Sequence, residues 1–147
     1  MRHLKKGRKL NRTSSHRKSL LSNLSSSLVI NKRIITTHQK AKELQKYVER
    51  LVTYAKYENL HGRRLIQSKI RGKLNKSVAN ELIHKIAPNY KDRSGGYTRV
   101  IRLDNRKNDN AETSLIEFVN LRDLSIDDSK STTDISSEKE NKIKKNN

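Results

Sequence analysis

The chain has 147 residues and a formal net charge of +19, so it has room for one ordinary domain and carries a large excess of cations. Hydrophobic residues make up 31 %, with no Trp and a single Phe, and any core is therefore small. The absence of Cys excludes a disulfide framework and the usual Cys-containing zinc sites. Because a compact monomer of this charge repels itself, we expect a polyanionic partner: nucleic acid first, an anionic membrane surface second.

The cations are unevenly distributed along the chain. Eight of the first eighteen residues are Lys or Arg, and the first carboxylate is Glu43. Residues 121–147 carry six basic and six acidic side chains, so the net positive charge lies in residues 1–120. We therefore predict a basic RNA-binding arm over residues 1–12, a domain over 13–121 and a disordered polar tail over 122–147.

Apolar spacing predicts the elements in the first half of the domain. Leucines recur at every fourth position from residue 20 to 28 and predict a first helix, and the segment from Asn11 to Ser15 offers several side chains that can cap it, Ser14 and Ser15 among them. The β-branched run at 33–37 predicts a strand, and Thr37 can cap the helix that follows. That second helix has the cleanest amphipathic pattern, formed by Ala41, Leu44, Val48, Leu51 and Ala55.

The second half of the domain combines helical and strand patterns. A short third helix is predicted over about residues 60–71 and a fourth over about 74–86. The apolar face of the fourth helix is formed by Leu74, Val78, Leu82 and Ile86. Two strand-like runs at 95–103 and 113–121 are joined by a polar loop and predict a hairpin. We therefore predict a two-layer α+β domain in the order α-β-α-α-α-β-β, with helices covering a small sheet.

No catalytic or metal-binding constellation is recognisable in the sequence. The five His residues lack the spacing of a metal site on one helix face, and no acid lies near the His of "TSSHR" to orient it as a base. The segment "GGYTR" lacks the glycine spacing and the following Lys of a phosphate-binding loop. We therefore expect no enzyme activity, no metal and no cofactor.

The basic arm is the main binding feature. Its cations can follow a groove of phosphates, and its few apolar residues do not allow it to fold alone. His3 and His16 can stack on bases or contact phosphate, while Ser14 and Ser15 can bond phosphate oxygens as an alternative to capping. A solvated charged tail is the simpler alternative, but the lack of acids over 42 residues favours RNA or DNA.

A second cationic segment, "KDRSGGYTR", precedes the hairpin. Gly95 and Gly96 can bring the backbone close to RNA or can simply form the turn into the strand. Tyr97 can stack on a base, donate its hydroxyl or pack in the sheet, and these roles stay open at this point. Because aromatic residues are few, phosphate and shape recognition of folded RNA fits better than stacking on single strands.

Two other protein classes remain as alternatives. A nucleoid-associated or regulatory nucleic-acid-binding protein fits the charge, although no helix shows an evident recognition pattern. A membrane-surface protein is less favoured, because the Leu stripe of the first helix is backed by Ser and lacks Trp and Phe.

Three blocks of the sequence resemble the bacterial large-subunit ribosomal protein family seventeen. They are "MRHLKKGRKLNRTSSHRKSLLSNLSSSL", "IITTHQKAKEL" and "RSGGYTRV", and they occur in the same order from residue 1 to about residue 120. The resemblance implies the element order predicted above. Together with the charge pattern, it implies rRNA contact by Arg2, His3, Lys5, Lys6, Arg8, Lys9, Asn11, Arg12, Ser14, Ser15, His16, Arg17, Lys18, Lys40, Arg63, Arg64, Arg93, Gly95, Gly96, Tyr97 and Arg99.

The resemblance also implies a cellular role. Members of this family are structural proteins of the 50S subunit held by 23S rRNA, with large-subunit protein thirty-two as the suggested neighbour, and we expect neither membrane binding nor homo-oligomers. Because the resemblance includes residue 1, we expect the basic start to be the family's RNA arm rather than an organelle transit peptide. A bacterial cytoplasm follows as the expected location, and an organelle-encoded copy would look the same.

Overall fold

The computed structural model describes residues 7–121. Residues 1–6 and 122–147 lie outside this range, so the expectations for Arg2, His3, Lys5 and Lys6 and for a disordered tail are not addressed by it. The first three elements are helix α1 (Ser14–Asn31), strand β1 (Arg33–Thr37) and helix α2 (His38–Lys56). Lys32 adopts a left-handed conformation (φ 62°) between α1 and β1, which ends the helix and turns the chain into the strand.

The next helices are shorter than α1 and α2. Helix α3 spans Leu60–Lys69 and helix α4 spans Asn75–Glu81. A π-helical segment (Leu82–Ile86) and a 3₁₀ turn (Ala87–Tyr90) continue from α4. The predicted α-helix over 74–86 is therefore wrong in its second half, and Leu74 is 53 % exposed rather than part of the buried face.

The sheet contains three antiparallel strands, completed by β2 (Thr98–Arg102) and β3 (Thr113–Phe118). The strand order is β1-β3-β2, so the last strand in the chain lies in the centre. Helix α2 packs against all three strands, and the side-chain amide of Gln45 donates to the Thr98 carbonyl (3.1 Å). The two-layer α+β prediction is confirmed, although β2 begins three residues after the predicted start at Gly95.

The core lies between α2, the sheet and the helices that flank them. All five residues of the predicted α2 stripe are buried in it. Helix α1 contributes differently from the prediction, because Ser22, Ser25 and Ser26 are buried while the first two leucines of the stripe are only half-buried. Small serines let α1 lie close to its neighbours, and the hydroxyls of Ser25 and Ser26 donate to the Ser22 carbonyl.

Helices α2 and α3 lie very close together at Gly62. A Cβ atom at this position would lie 2.3 Å from the backbone carbonyl oxygen of Tyr54, so only glycine fits. The Gly62 N–H donates to the side-chain oxygen of Asn59, the N-cap of α3, at 2.7 Å. Within residues 7–121, no helix is both long and apolar enough to cross a bilayer.

Candidate nucleic-acid interface

The described part of the arm leads into α1 through left-handed backbone. Gly7, Leu10 and Asn11 all have positive φ angles. Arg8, Lys9 and Asn11 are exposed, whereas Arg12 is half-buried and donates from Nη1 to the Leu10 carbonyl (2.9 Å). The structure therefore leaves Arg8 and Lys9 accessible to a polyanion, while Arg12 helps to shape the arm.

The start of α1 presents cations at the positive end of a helix dipole. Ser14, Ser15, His16 and Lys18 are exposed, Arg17 is half-buried, and the first turn contains no acid. The N-cap residue is Thr13, and its side chain makes no capping hydrogen bond, so the predicted cap by Ser14 or Ser15 is wrong. Cations at a helix N-terminus are unfavourable in the free protein, and an anion bound there would offset that cost.

Helix α2 adds two cations that were missed from the sequence. A cleft of about 240 Å³ between the arm and the helices is lined by Gly7, Leu21, Glu43, Lys46, Tyr47 and Arg50. Lys46 and Arg50 are four residues apart and lie on the polar face opposite the buried stripe. This four-residue spacing opposite the apolar stripe is the sequence signal from which the two cations could have been predicted. Lys40, which was predicted to contact rRNA, lies in the first turn of α2 and is half-buried.

The paired arginines of α3 differ in their roles. Arg63 is half-buried, and its guanidinium donates to the side-chain oxygen of Asn80 at the end of α4. Arg64 is exposed. Arg63 therefore joins two helices, and Arg64 is the more available of the two for an external phosphate.

Hydrogen bonds from Arg93 and from Lys56 of α2 fix the backbone of the loop before β2. Arg93 is exposed and donates from Nε to the Gly95 carbonyl (3.0 Å), while Lys56 donates to the Arg93 carbonyl (2.6 Å). Lys91 pairs with Glu58 at 3.0 Å. Gly96 has a φ of +63°, which explains a glycine at this turn, and no atom lies within 4 Å of a Cβ built on Gly95. The backbone of this loop is therefore open to a close approach.

Tyr97 occupies the core rather than the surface. Its side chain is buried, its ring centroid is 5.2 Å from that of Tyr90, and Lys56 Nζ lies 5.4 Å from it. Burial also raises the pKa of Tyr90 to about 12, and the Tyr90 hydroxyl donates to the Val119 carbonyl. The buried ring presents no face to a base in this fold, so of the roles left open the structure favours packing.

Arg99 belongs to a row of charges across the outer face of the sheet. The strand register places Arg33, Glu117 and Arg99 side by side on β1, β3 and β2. Arg99 Nε donates to Glu117 Oε1 at 2.5 Å, and the Glu117 side chain is only 3 % exposed. Arg99 thus neutralises a buried carboxylate, which reduces its availability as an RNA contact.

The remaining histidines do not form a metal site. His38 is buried and its Nδ1 lies 2.8 Å from the Ser114 hydroxyl, whereas His61 and His84 are exposed. Among the residues described, no group of three His, Cys, Asp or Glu side chains is close enough to hold a metal ion. The structure thus brings the arm, the start of α1 and the polar face of α2 together, while Arg64, the 91–96 loop and Arg99 lie on other elements.

A comparison with protein families decides the identity of this fold. The family model of ribosomal protein L17 matches residues 20–119, which is more than half of the chain. The chain belongs to the ribosomal protein L17 family. This is a family of structural, non-enzymatic ribosomal proteins, and the L17 assignment fits the net charge of +19.

Curated relatives of this L17 family member are similar over most of its length. A protein of Amoebophilus asiaticus called large ribosomal subunit protein bL17 is 50 % identical over 119 residues, 81 % of this chain. Proteins of the same name from Allorhizobium ampelinum and Rickettsia bellii are 47 % and 52 % identical. The chain spans 60 % of the Amoebophilus protein's length, but 82 % and 84 % of the other two. The first of these relatives is therefore considerably longer than the matched region.

Proposed function

We propose that this chain is a structural component of the large ribosomal subunit that binds and stabilises folded 23S rRNA through phosphate and shape contacts. Its location would be the ribosome in a bacterial cytoplasm, beside other large-subunit proteins, of which protein thirty-two is the neighbour implied by the resemblance. Family membership supports the ribosomal role. The observation that carries the rRNA contact is the run of cations from Arg8 to Lys18, which continues into the start of α1 without a carboxylate.

The physical argument rests on the cost of this arrangement in the free protein. Helix N-termini favour acidic side chains by about 0.3–1 kcal/mol each, yet the first turn of α1 has none. Phosphates bound along the arm and at the start of α1 would neutralise the cations and release counterions. The same residues that destabilise the free protein would therefore stabilise the complex. Further contacts would come from α3 through Arg64 and from the loop before β2 through Arg93, Gly95 and Gly96.

The proposal is tested by charge reversal at the start of α1. In the full chain, Arg17→Glu combined with Lys18→Glu should weaken binding to deproteinised large-subunit rRNA and reduce the salt slope of log K by about two. The same pair should leave the free protein equally stable or more stable, because acids replace cations beside the helix N-terminus. Filter binding at several salt concentrations and thermal unfolding measure the two effects.

A matched control separates a specific contact from a loss of net charge. Arg102→Glu combined with Lys107→Glu changes two exposed basic residues at the hairpin, which lies outside the proposed interface. This control should keep the salt slope within the error of the wild type. Equal effects of the two pairs would contradict an interface at the start of α1. Equal wild-type affinity for duplex DNA and for large-subunit rRNA would favour the nucleoid-associated alternative instead.

A further inference from the structure

A second cleft lies between the middle of α1 and the segment that joins α3 to α4. Its volume is about 390 Å³, within the range of about 300–1,000 Å³ typical of small-ligand pockets. Asn23, Ser27 and Ile30 line it from α1, and Arg71, Lys73 and Leu74 line it from the connecting segment. None of these residues belongs to the interface proposed above.

The connecting segment is fixed against the rest of the fold. The Arg71 N–H donates to the hydroxyl of buried Ser22 (2.7 Å), and the Tyr47 hydroxyl donates to the Lys69 carbonyl (2.7 Å). Gly72 has a φ of +97°, and its carbonyl accepts from the Asn75 N–H (3.3 Å). The wall of the cleft is therefore preorganised, so a ligand would not have to order it on binding.

The chemistry of the cleft combines three kinds of group. Ile30 and Leu74 are 50 % and 53 % exposed and both line the cleft, so two large apolar side chains face the same opening. Asn23 and Ser27 supply hydrogen-bond donors and acceptors between them. Arg71 and Lys73 are exposed and, within residues 7–121, make no ion pair. The apolar side chains suit the faces of a base, the polar groups suit its edge, and the two cations suit the flanking phosphates.

We propose that this cleft binds an unstacked nucleotide of folded rRNA. The base would lie between Ile30 and Leu74, with its edge facing the polar groups of α1. The flanking phosphates would contact Arg71 and Lys73. The open space over Gly72, where a Cβ would meet no atom within 4 Å, would let the RNA backbone come close. This inference rests on the proposed function, because it names the RNA feature recognised by a second part of the same protein.

Charge favours RNA over a protein side chain as the occupant. No carboxylate lines the cleft, and both rim residues are cations. A neighbouring protein that filled the cleft with an apolar side chain would leave these two cations without an assigned role. Sequence-specific RNA recognition mostly targets unstacked bases of loops and bulges, and such a base can enter a cleft that offers apolar contact and hydrogen bonds.

The test uses the full chain and deproteinised large-subunit rRNA as the probe. Ile30→Ser combined with Leu74→Ser should weaken binding about tenfold, because the apolar contact of two side chains with the base is lost, and should leave the salt slope unchanged. Arg71→Gln combined with Lys73→Gln should instead reduce the salt slope by about two. Chemical probing of the bound RNA should show one unpaired base that the wild type protects and the Ile30/Leu74 variant leaves reactive.

The matched control changes exposed apolar residues elsewhere. Ile35→Ser combined with Ile101→Ser alters side chains of the outer sheet face that are 66 % and 37 % exposed, and it should leave rRNA affinity within about twofold of wild type. Unchanged affinity of the Ile30/Leu74 variant, or an unchanged protection pattern, would overturn the inference. So would a photocrosslinker at position 74 that, in assembled subunits, joins a protein rather than rRNA. If the wild type itself does not prefer this rRNA over an unrelated RNA of equal length, the proposed function fails instead.

Discussion

At the scale of single residues, small side chains decide how closely the helices approach. Gly62 allows α3 to touch the carbonyl end of α2, and buried serines do the same for α1. The sequence shows both features only as a glycine and a Ser-rich face. Without the neighbouring helix, nothing distinguishes a serine that packs from one that is solvated. Tyr97 presented the same difficulty, because its burial depends on contacts with Tyr90 across the 91–96 loop and with Lys56 of α2, which the local sequence pattern does not show.

Gly62→Ala should lower the free energy of unfolding by about 1–3 kcal/mol, because the new methyl group would meet the Tyr54 carbonyl oxygen. The gain of about 0.5–1 kcal/mol that alanine offers inside a helix is smaller than this clash. Urea denaturation followed by circular dichroism measures the difference. Gly95→Ala is the control, since a Cβ there meets no atom within 4 Å. Equal stability of the two variants would contradict the close contact between α2 and α3.

At the scale of elements, the accuracy of a sequence prediction depends on how a helix is buried. The α2 stripe was predicted correctly because that helix packs its whole apolar face against the sheet and its neighbours. The fourth helix was predicted as regular, yet its backbone passes through a π-helical segment into a 3₁₀ turn. Apolar spacing alone does not reveal this change, which lets Leu82, Ile86 and Tyr90 all reach the core.

One ion pair connects the end of α1 to the end of α4. Lys32 Nζ lies 2.5 Å from Glu81 Oε1 and also donates to the Val29 carbonyl (2.8 Å). Burial alone would raise the pKa of Glu81, but the hydrogen bond from Lys32 and the charges of Lys32 and Lys85 outweigh it and lower the pKa. The carboxylate form is therefore favoured by the folded state.

Glu81→Gln should consequently reduce stability at neutral pH by about 0.5–1 kcal/mol, a partly exposed ion pair being worth no more. A lowered pKa in the folded state gives stabilisation that is present above the unfolded value of 4.5 and is lost as the pH falls through the folded value. The difference between wild type and variant should thus shrink below about pH 4.5. Urea titrations at pH 7 and pH 3 test this, and a constant difference at both would contradict the role of the charge.

At the scale of the whole molecule, net charge dominates behaviour. Of the fifteen acids in the chain, nine lie in residues 1–120, and several of them already pair with a cation within the fold. The excess charge therefore remains on the surface of the domain and its arm. The excess of cations was evident from composition. Only the structure shows which cations are used inside the fold, as Arg12, Arg63 and Arg99 are, and which stay open to a partner, as Arg64 does.

Salt should therefore act on the free protein and on its rRNA complex in opposite directions. Raising NaCl from about 0.05 to 0.5 M shortens the screening length severalfold and should raise the Tm of the free protein by weakening self-repulsion. The same change should sharply reduce rRNA affinity. Calorimetry and filter binding on one preparation measure both, with an equal osmolality of sucrose as the control. A Tm that falls with NaCl would show that specific ion pairs outweigh the net repulsion.

The strand order also sets the sequence of events during synthesis. Both edge strands, β1 and β2, precede their shared partner β3 in the chain, so neither has a strand to pair with until residues 113–118 have been made. The helices rely on nearer contacts and can assemble earlier. Ordering of the sheet, and with it the Arg33–Glu117–Arg99 row, is therefore a late step tied to completion of the domain. A chain that stops before Thr113 would carry the arm and every cation of α1 to α4 but would lack the strand that closes its sheet.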